Sequence, residues 1–312
     1  MQWTRRDFAR ASVIGAAAGL LPRGLAAQQR GQAPAPAPAA APALPPTFTP
    51  IRRNFGIFHQ RGGTIGWLAN SSGVLVVDTQ FADTAPNFLS GLKERTPRQI
   101  DVVINTHHHP DHTGGNAVLR AAARQLVAHV RSMENQKNSG GRGGTQPTLP
   151  DVTFPETWSV TIGDETVRAR HWGIAHTGGD AAIHFERANI VHLGDLLNNR
   201  GYPNCDAPAG GSVHGWISVL EKMAPAYAAD TLYIYGHAEA GHPFIGTRQD
   251  LIYQRDYFTA VVEVAQKALK AKQPREEAIK LADLPGFTHF GGTKSRLGLV
   301  IGIAYDELAK RE

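Results

Sequence analysis

Residues 106–112 read Thr-His-His-His-Pro-Asp-His and directly follow the run Asp101–Asn105. That run is rich in Val and Ile, which predicts a buried β-strand. The loop after a buried strand is held rigidly at its base yet is open to solvent, so α/β folds often place functional groups there. We therefore expect residues 106–112 to carry the chemistry of this chain.

The spacing within this stretch indicates metal ligands. His107 and His109 lie two positions apart, so on an extended backbone their rings project to the same side and can bind one ion. Pro110 then bends the chain, which directs Asp111 and His112 toward a second position. Neutral imidazole nitrogens and carboxylate oxygens are ligands that zinc accepts. By itself, a histidine-rich loop is also consistent with an adventitious surface metal binder.

Three further ligand-type residues strengthen the metal hypothesis. Each follows an apolar run and stands next to Gly or Ala: His176, Asp195 and His237. The chain has a single cysteine, Cys205, which excludes a disulfide framework and a multi-cysteine zinc site. Any metal must therefore be held by His and carboxylate side chains. His242 is the alternative to His237 as the last ligand.

Around these residues the sequence predicts two batches of strands, each followed by helices. The predicted strands are Asn54–His59, Thr64–Ala69, Gly73–Asp78, Gln99–Asn105 and Gln125–Val130, then Trp158–Ile162, Thr166–Trp172, Ala181–Phe185, Ile190–Leu193 and Thr231–Tyr235. The predicted helices are Ala82–Lys93, Gly115–Leu126, Ser212–Met223 and Gln249–Ala271, with a flexible loop at Ser139–Gly144. This order favours two sheets packed face to face with helices outside.

The order of the motifs resembles the metallo-β-lactamase-fold hydrolase superfamily, whose signature is His-x-His-x-Asp-His followed by a later His, Asp and His. The resemblance covers about residues 50–270 and rests on the combination of motifs. It implies an α/β fold of the four-layer αββα sandwich type, with two mixed β-sheets and helices on the outer faces. It also implies a two-metal site at one edge of the paired sheets.

The resemblance implies a role for each candidate ligand. One metal would be held by His107, His109 and His176, the other by Asp111, His112 and His237, with Asp195 bridging the two. The implied cofactor is a pair of divalent metal ions, with Zn²⁺ as the default, and no other cofactor. A hydroxide between the ions would attack a carbonyl, and Asp111 is the catalytic residue that would hold or shuttle its proton.

These implications favour a metal-dependent hydrolase that acts on a small-molecule ester, lactone, thioester or amide. The nearest alternative is hydrolysis of β-lactam antibiotics, and a further alternative is a non-catalytic metal-binding protein. Asp195 stands where the better-known zinc β-lactamases have Cys or Ser, which argues against a dedicated β-lactamase. Tyr202 and His214 follow Asp195 along the chain and are the candidate substrate contacts.

Several other residues near these motifs admit plainer roles. Asp78 ends a predicted strand, so it is either a turn residue or an aspartate that orients a ligand histidine. His108 is expected to face away from the ions. His184 and His192 are predicted to be hydrogen-bonded structural histidines. Cys205 is either an inert thiol or a substrate contact.

The N-terminal residues predict export. Arg5 and Arg6 precede the apolar run 11–21 and a small-residue stretch at 24–27, which is the order of a signal peptide. The paired arginines resemble the twin-arginine class, so residues 1–27 are predicted to engage the twin-arginine export machinery and to be cleaved. The mature chain is then expected in the periplasm or secreted, with no stable membrane anchor. An ordinary secretory signal is the alternative.

An Ala/Pro-rich stretch separates the predicted signal from the folded part. Seven of the 20 prolines lie between Pro34 and Pro50. Because proline lacks a backbone donor and has a fixed φ, residues 28–47 are predicted to form a stiff linker. Residues 48–312 are predicted to form the hydrolase domain.

The composition excludes several classes of protein. With 312 residues, 42% of them hydrophobic and 19% charged, the chain is neither a coiled coil, a collagen-like chain nor wholly disordered. Its net charge of +5 falls to +2 once the first 27 residues, with four arginines and one aspartate, are set aside. No nucleic-acid partner is therefore expected, and the expected ligand is a small molecule.

Overall fold

The computed structural model describes residues 45–139, 146–287, 290–291 and 295–310. The predicted signal peptide and residues 28–44 of the predicted linker lie outside these ranges, as does most of the loop predicted at Ser139–Gly144. Within the described ranges, no helix combines the length and the apolar character needed to cross a membrane.

The first sheet has seven strands, which follow one another in the sheet as they do in the chain. They are β1 (Thr47–Arg52), β2 (Phe55–His59), β3 (Ile65–Ala69), β4 (Val74–Val77), β5 (Ile100–Asn105), β6 (Ala123–His129) and β7 (Val152–Phe154). Neighbours from β1 to β4 are antiparallel, and neighbours from β4 to β7 are parallel. The sheet is therefore mixed, as predicted.

The second sheet is mixed as well. The remaining strands are β8 (Thr157–Ile162), β9 (Glu165–Arg170), β10 (Ala182–Phe185), β11 (Ile190–His192), β12 (Asn198–Asn199), β13 (Leu232–Ile234), β14 (His237–Ala238) and β15 (Ile245–Gly246). Six of them form the sheet in the order β15-β13-β11-β10-β9-β8, in which only β11 and β13 are parallel neighbours. β12 and β14 pair with each other as a separate two-residue ribbon.

Helices cover the outer faces of the two sheets, except for the short helix at Pro110–Thr113, which lies at their edge. The helices are α1 (Ala85–Lys93), α2 (Pro110–Thr113), α3 (Asn116–Ala121), α4 (Val130–Ser139), α5 (Val213–Met223), α6 (Arg248–Lys270), α7 (Arg275–Ala278) and α8 (Ser295–Ala309). Two short 3-10 turns follow β11 and β12, at Gly194–Leu196 and Ala207–Ala209 respectively.

Three buried clusters define the layers. Leu75 and Val77 of β4 pack with Ile183 of β10 in the core between the two sheets. Val76 of the same strand points to the other face and packs with Phe88 of α1. A third cluster joins the outer face of the second sheet to α5, α6 and α8. The layer order of helix, sheet, sheet and helix confirms the predicted αββα sandwich.

Some element predictions were wrong or incomplete. The helix predicted at Gly115–Leu126 ends at Ala121, because Leu126 and Val127 are buried on opposite faces of the first sheet and belong to β6. β1 was not predicted, and it begins one residue inside the predicted linker. It contains Pro50, which its edge position tolerates because one side of an edge strand needs no ladder hydrogen bond. α4 and α8 were not predicted either.

Pairs of parallel strands bring the sequence motifs together. β4 and β5 end side by side at Val77 and Asn105, and β11 and β13 end side by side at His192 and Ile234. The loops that follow these four strand ends meet at one edge of the paired sheets. This is the edge at which the resemblance implied a site.

Candidate metal centre

The structure brings all seven predicted ligands together at this edge. Their ligand atoms fall into two groups, and within each group the atoms lie within 4.8 Å of one another. The first group contains His107, His109, His176 and Asp195, and the second contains Asp111, His112 and His237. The division is the one that the resemblance implied, with Asp195 at the junction.

Hydrogen bonds on the far side of each ring orient the histidines of the first group. His109 Nε2–H donates to Asp206 Oδ2 over 2.9 Å, and His176 Nδ1–H donates to the Asn204 carbonyl over 2.6 Å. An ionised carboxylate or a carbonyl oxygen only accepts, so these outer nitrogens carry the proton. A ring in this neutral tautomer presents a lone pair on its inner nitrogen.

His107 and His112 are both oriented through one buried carboxylate, Asp78. Asp78 Oδ2 accepts from His112 Nδ1–H and from the Thr106 hydroxyl, each over 2.7 Å. Because the Thr106 hydroxyl donates to Asp78, its oxygen is left to accept from His107 Nδ1–H at 3.1 Å. Asp78 also has a left-handed φ of 63°. Both roles considered for it, turn residue and orienting aspartate, are thus combined in one residue.

The lone pairs of the first group point at one another. His109 Nδ1 lies 3.2 Å from His107 Nε2 and 2.9 Å from His176 Nε2. When the rings are neutral with their protons on the outer nitrogens, none of the three has a hydrogen to share, and lone pairs at this spacing repel unless a cation lies among them. The donor set therefore fits a divalent metal ion, for which neutral imidazole is a common ligand.

The second group combines two imidazoles with carboxylates. Asp111 Oδ2 lies 3.0 Å from His237 Nε2 and 3.8 Å from His112 Nε2. Asp195 faces both groups, since its Oδ1 is 3.1 Å from His112 Nε2 and its Oδ2 is 3.6 Å from His176 Nε2. Asp195 Oδ1 is buried and lies 3.2 Å from His237 Nε2 as well. Two imidazole nitrogens and the oxygens of two carboxylates thus surround one position, and this donor set fits a divalent cation in the second group as well.

The two groups differ in charge before any cation binds. Burial lowers the pKa of His107 well below its usual value and lowers that of His176 to about 4, so both rings are neutral. Burial would also lower the pKa of His237, but the Asp195 carboxylate and the hydrogen bond with Asp111 outweigh it and raise this pKa to about 9. Burial would lower the pKa of His112 too, but the carboxylates of Asp195, Asp78 and Asp111 outweigh it and raise this pKa well above its usual value. Both rings of the second group are therefore protonated at neutral pH, and a metal ion must displace a proton from each.

The turn between the two groups begins at Pro110. His109 has extended backbone, with φ −63° and ψ 146°, and Pro110 opens α2, where its fixed φ suits the first helical position. The change from extended to helical backbone directs Asp111 and His112 to the second group, which is the effect expected from the sequence.

Gly236 lets the last ligand approach the centre. A Cβ atom at this position would lie 2.1 Å from Asp195 Oδ1 and 2.6 Å from the Gly194 backbone. No larger residue fits without moving Asp195, so the glycine before His237 has a steric cause.

A cavity of about 420 Å³ opens on ligands of both groups. Of the two predicted substrate contacts, Tyr202 lines this cavity. His214 does not line it, and the prediction is corrected: His214 Nδ1–H donates to Glu307 Oε2 of α8 over 2.5 Å, so the ring joins α5 to α8. Its position shortly after Asp195 in the sequence does not bring it to the cavity, because it lies at the start of α5.

The alternative candidates lie outside the two groups. His242 is exposed and joins neither of them. His192 Nε2 lies 3.0 Å from the Thr64 carbonyl, which is the structural role predicted for it. Cys205 is buried, with its Sγ 3.7 Å from the Ala175 carbonyl, and does not line the cavity.

Sequence reasoning missed Asp206. Besides accepting from His109, Asp206 lies 3.6 Å from His108 Nε2, and its Oδ1 accepts from the Ala209 backbone N–H at 3.2 Å. His108 thus faces Asp206 and not the lone pairs of the first group. A loop aspartate commonly forms turns, and 97 positions separate Asp206 from His109, so no sequence signal could have found it.

Comparison with known proteins places these features in a family. Residues 60–276 match the family model of the metallo-beta-lactamase superfamily. A hydroxyacylglutathione hydrolase of Rhodospirillum rubrum is 29% identical over 199 residues, which cover 63% of this chain and 66% of that protein. A metallo-beta-lactamase type 2 of Bacillus cereus is 23% identical over 175 residues, which cover 56% and 66%. The matches thus span slightly less than two thirds of these relatives.

Solved structures are similar in fold. A metallo-beta-lactamase from Pontibacter korlensis superposes with a TM-score of 0.60 at 18% identity, covering 69% of this chain and 99% of that chain. The sec-alkylsulfatase Pisa1 from Pseudomonas sp. gives a TM-score of 0.62 at 15% identity, covering 84% and 50%. With most of its length matched by the family model and its fold shared with these structures, the chain belongs to the metallo-beta-lactamase superfamily.

Proposed function

We propose that this protein is a binuclear metal-dependent hydrolase of small molecules that contain an ester, lactone, thioester or amide carbonyl. The observation that carries the proposal is the convergence of imidazole nitrogens and carboxylate oxygens on two adjacent positions beside an open cavity. Structural zinc sites are closed by their protein ligands, whereas catalytic sites keep a position open to substrate. The cavity therefore supports catalysis over a purely structural or storage role.

Two divalent cations, once bound, would polarise a carbonyl oxygen and lower the pKa of water from about 16 toward about 7. The residues proposed to hold them are His107, His109 and His176 for one, Asp111, His112 and His237 for the other, and Asp195 between the two. Zn²⁺ is the proposed ion because imidazole nitrogens dominate the donor set.

Asp111 is proposed to manage the proton of the attacking water. Burial would raise the pKa of Asp111, yet the positive charge of His112 and the hydrogen bond with His237 lower it to about 2. The carboxylate therefore stays ionised at neutral pH, and it lines the cavity. An ionised carboxylate there accepts a hydrogen bond from water and aims the oxygen lone pair at the substrate carbonyl.

The test is zinc quantitation of the purified protein together with a panel of ester, lactone and thioester substrates. We expect two zinc ions per chain and hydrolysis of at least one substrate class. Asp111→Ala and Asp195→Ala should each lose about 100-fold or more in kcat/KM. His242→Ala is the matched control for His237→Ala, because His242 is a nearby exposed histidine outside both groups. Full activity in both aspartate variants would refute the assignment.

Two of the relatives indicate how to arrange the panel. The name of the Rhodospirillum rubrum relative describes a hydrolase of an acylated glutathione, so thioesters of that kind come first. The Bacillus cereus relative is named as a metallo-beta-lactamase, which keeps β-lactam hydrolysis as a second candidate. A chromogenic cephalosporin separates the two, since turnover no faster than with free zinc would reject the β-lactamase function.

We also propose that the chain is exported to the periplasm or secreted through the twin-arginine machinery and has no membrane anchor after cleavage. The support is the sequence of residues 1–27, which lie outside the described part of the structure.

A further inference from the structure

The cavity beside the metal ligands has polar walls. In addition to those ligands, it is lined by Asn198, Asn199, Tyr202, Asn204, Glu239 and Arg296, together with small residues. No Leu, Ile, Val, Met or Phe among the described residues contributes to the lining. Because sites for apolar ligands are lined mainly by such side chains, this cavity favours a polar substrate.

Arg296 provides a fixed positive charge on one wall. It lies in the first turn of α8, and its Nη1–H donates to the Tyr202 carbonyl over 3.2 Å. No carboxylate of the described chain lies within ion-pair distance of its guanidinium, and the backbone contact leaves the other N–H donors of the fork available to a ligand. Because this hydrogen bond already restricts the Arg296 side chain, less conformational entropy is lost when a ligand binds to it.

A backbone contact ties this wall to the metal centre. Gly201 and Gly291 form an isolated parallel bridge, with Tyr202 N–H donating to the Gly291 carbonyl over 3.3 Å. The segment that follows Asp195 is thereby joined to the segment that leads into α8. Glu239 is the other charged residue of the wall. It lies over these glycines, because a Cβ atom built on Gly201 would be 3.3 Å from Glu239 Oε1.

We propose that the substrate carries an oxyanion, a carboxylate or a phosphate, which Arg296 binds while the scissile carbonyl lies at the metal centre; this rests on the hydrolase function proposed above. A guanidinium pairs with either oxyanion through two parallel N–H···O bonds, which fix the orientation of the ligand as well as its charge. α8 lies beyond residues 60–276, so Arg296 is outside the part of the chain that the family model matches.

The test compares matched esters on the zinc-loaded chain. Mono-4-nitrophenyl glutarate carries a distal carboxylate, its methyl ester is a neutral analogue, and a phosphonate analogue distinguishes the two oxyanions. We expect kcat/KM to favour an anionic ester over the neutral one by at least about 10-fold. Arg296→Gln should abolish this preference through a higher KM with kcat little changed, because the interaction is with a non-reacting part of the substrate.

Two further variants separate charge recognition from a structural effect. Arg296→Lys keeps the positive charge but not the fork, so it should retain part of the preference. Glu239→Gln removes a negative charge from the same cavity and should keep or increase the preference. A loss of preference in Glu239→Gln equal to that in Arg296→Gln would contradict the proposal, because charge would then not be what is recognised.

Direct binding separates failure of this proposal from failure of the hydrolase function. Equal kcat/KM for the anionic and neutral esters, or an unchanged preference in Arg296→Gln, would overturn the oxyanion site while leaving the hydrolase function standing. If neither these esters nor any substrate of the ester, lactone and thioester panel is hydrolysed, the hydrolase function fails. Glutarate binding measured by calorimetry then decides the oxyanion site, since a weaker affinity in Arg296→Gln supports it and an equal affinity overturns it.

Discussion

Asp206 acts on the candidate metal centre through His109. Its carboxylate accepts a hydrogen bond from the outer N–H of this ring. Such partners fix the ring and raise the basicity of the ligand, and losing one typically costs about 10- to 100-fold in metal affinity. We predict a loss of this size in Asp206→Ala and a smaller one in Asp206→Asn, which keeps an acceptor oxygen. Competition with a chromophoric chelator measures both. Asp151→Ala, at an exposed carboxylate paired with Arg120, is the control and should bind zinc as the wild type does. Equal zinc affinity in Asp206→Ala would show that His109 needs no such partner.

The raised pKa of His237 makes zinc binding depend on pH. At a pKa of about 9 the His237 ring is protonated at neutral pH, and the surrounding carboxylates also raise the pKa of His112, so a metal ion entering the second group displaces a proton from each ring. Burial instead lowers the pKa of His107 and His176, and these rings bind without proton release. We predict that affinity for one zinc ion rises as the pH is raised from neutrality toward about 9, while affinity for the other changes little. Calorimetry in two buffers of different ionisation enthalpy counts the protons, and no release at neutral pH would contradict the prediction.

The candidate ligands could be predicted from the sequence, but the residues that orient them could not. His107, His109 and His112 lie within six positions of one another, so their relative directions follow from local backbone geometry. Asp78 and Asp206 are 34 and 97 positions away from the histidines that they contact. Contacts over such separations depend on how the strands pack, which residue types alone do not record.

Among the elements, α8 matters for stability as well as for the cavity. Ile301 is fully buried in the core against α5 and α6, whereas Leu299, two positions earlier, is 43% exposed. We predict that Ile301→Ala lowers the free energy of unfolding by about 2–5 kcal/mol. Leu299→Ala should change it by no more than about 0.5 kcal/mol. Chemical denaturation measures both, and similar effects in the two variants would show that α8 does not pack as described.

Most strands were predictable because both faces of the sheets are apolar and the loops between them contain Gly, Asn and Asp. The error at Gly115–Leu126 arose because an Ala-rich run has high helix propensity, while pairing with β5 extends its last part as β6. α8 lacks a comparable signal, since it has apolar residues around much of its surface and no clear start in the sequence. Its position depends on the third cluster, to which several elements contribute.

At the scale of the whole molecule, the ligands come from loops of both sheets, so the two-group centre forms only when the sheets have packed. Export of an already folded protein suits such a site. We predict that replacing both Arg5 and Arg6 by Lys blocks export, because twin-arginine signals require the arginine pair. The same change keeps the positive charge, so an ordinary secretory signal would still work. Cell fractionation with Arg10→Lys as the control measures this, and undiminished export of the double variant would favour the ordinary secretory signal.

Seven side chains from four segments of the chain are proposed to hold two divalent ions at one edge of the sandwich. The most direct measurement is anomalous X-ray diffraction at the zinc edge from crystals of the zinc-loaded protein. Two peaks are predicted, one among His107, His109 and His176 and one among Asp111, His112 and His237, with Asp195 between them. A single peak, or peaks away from these side chains, would contradict the claim.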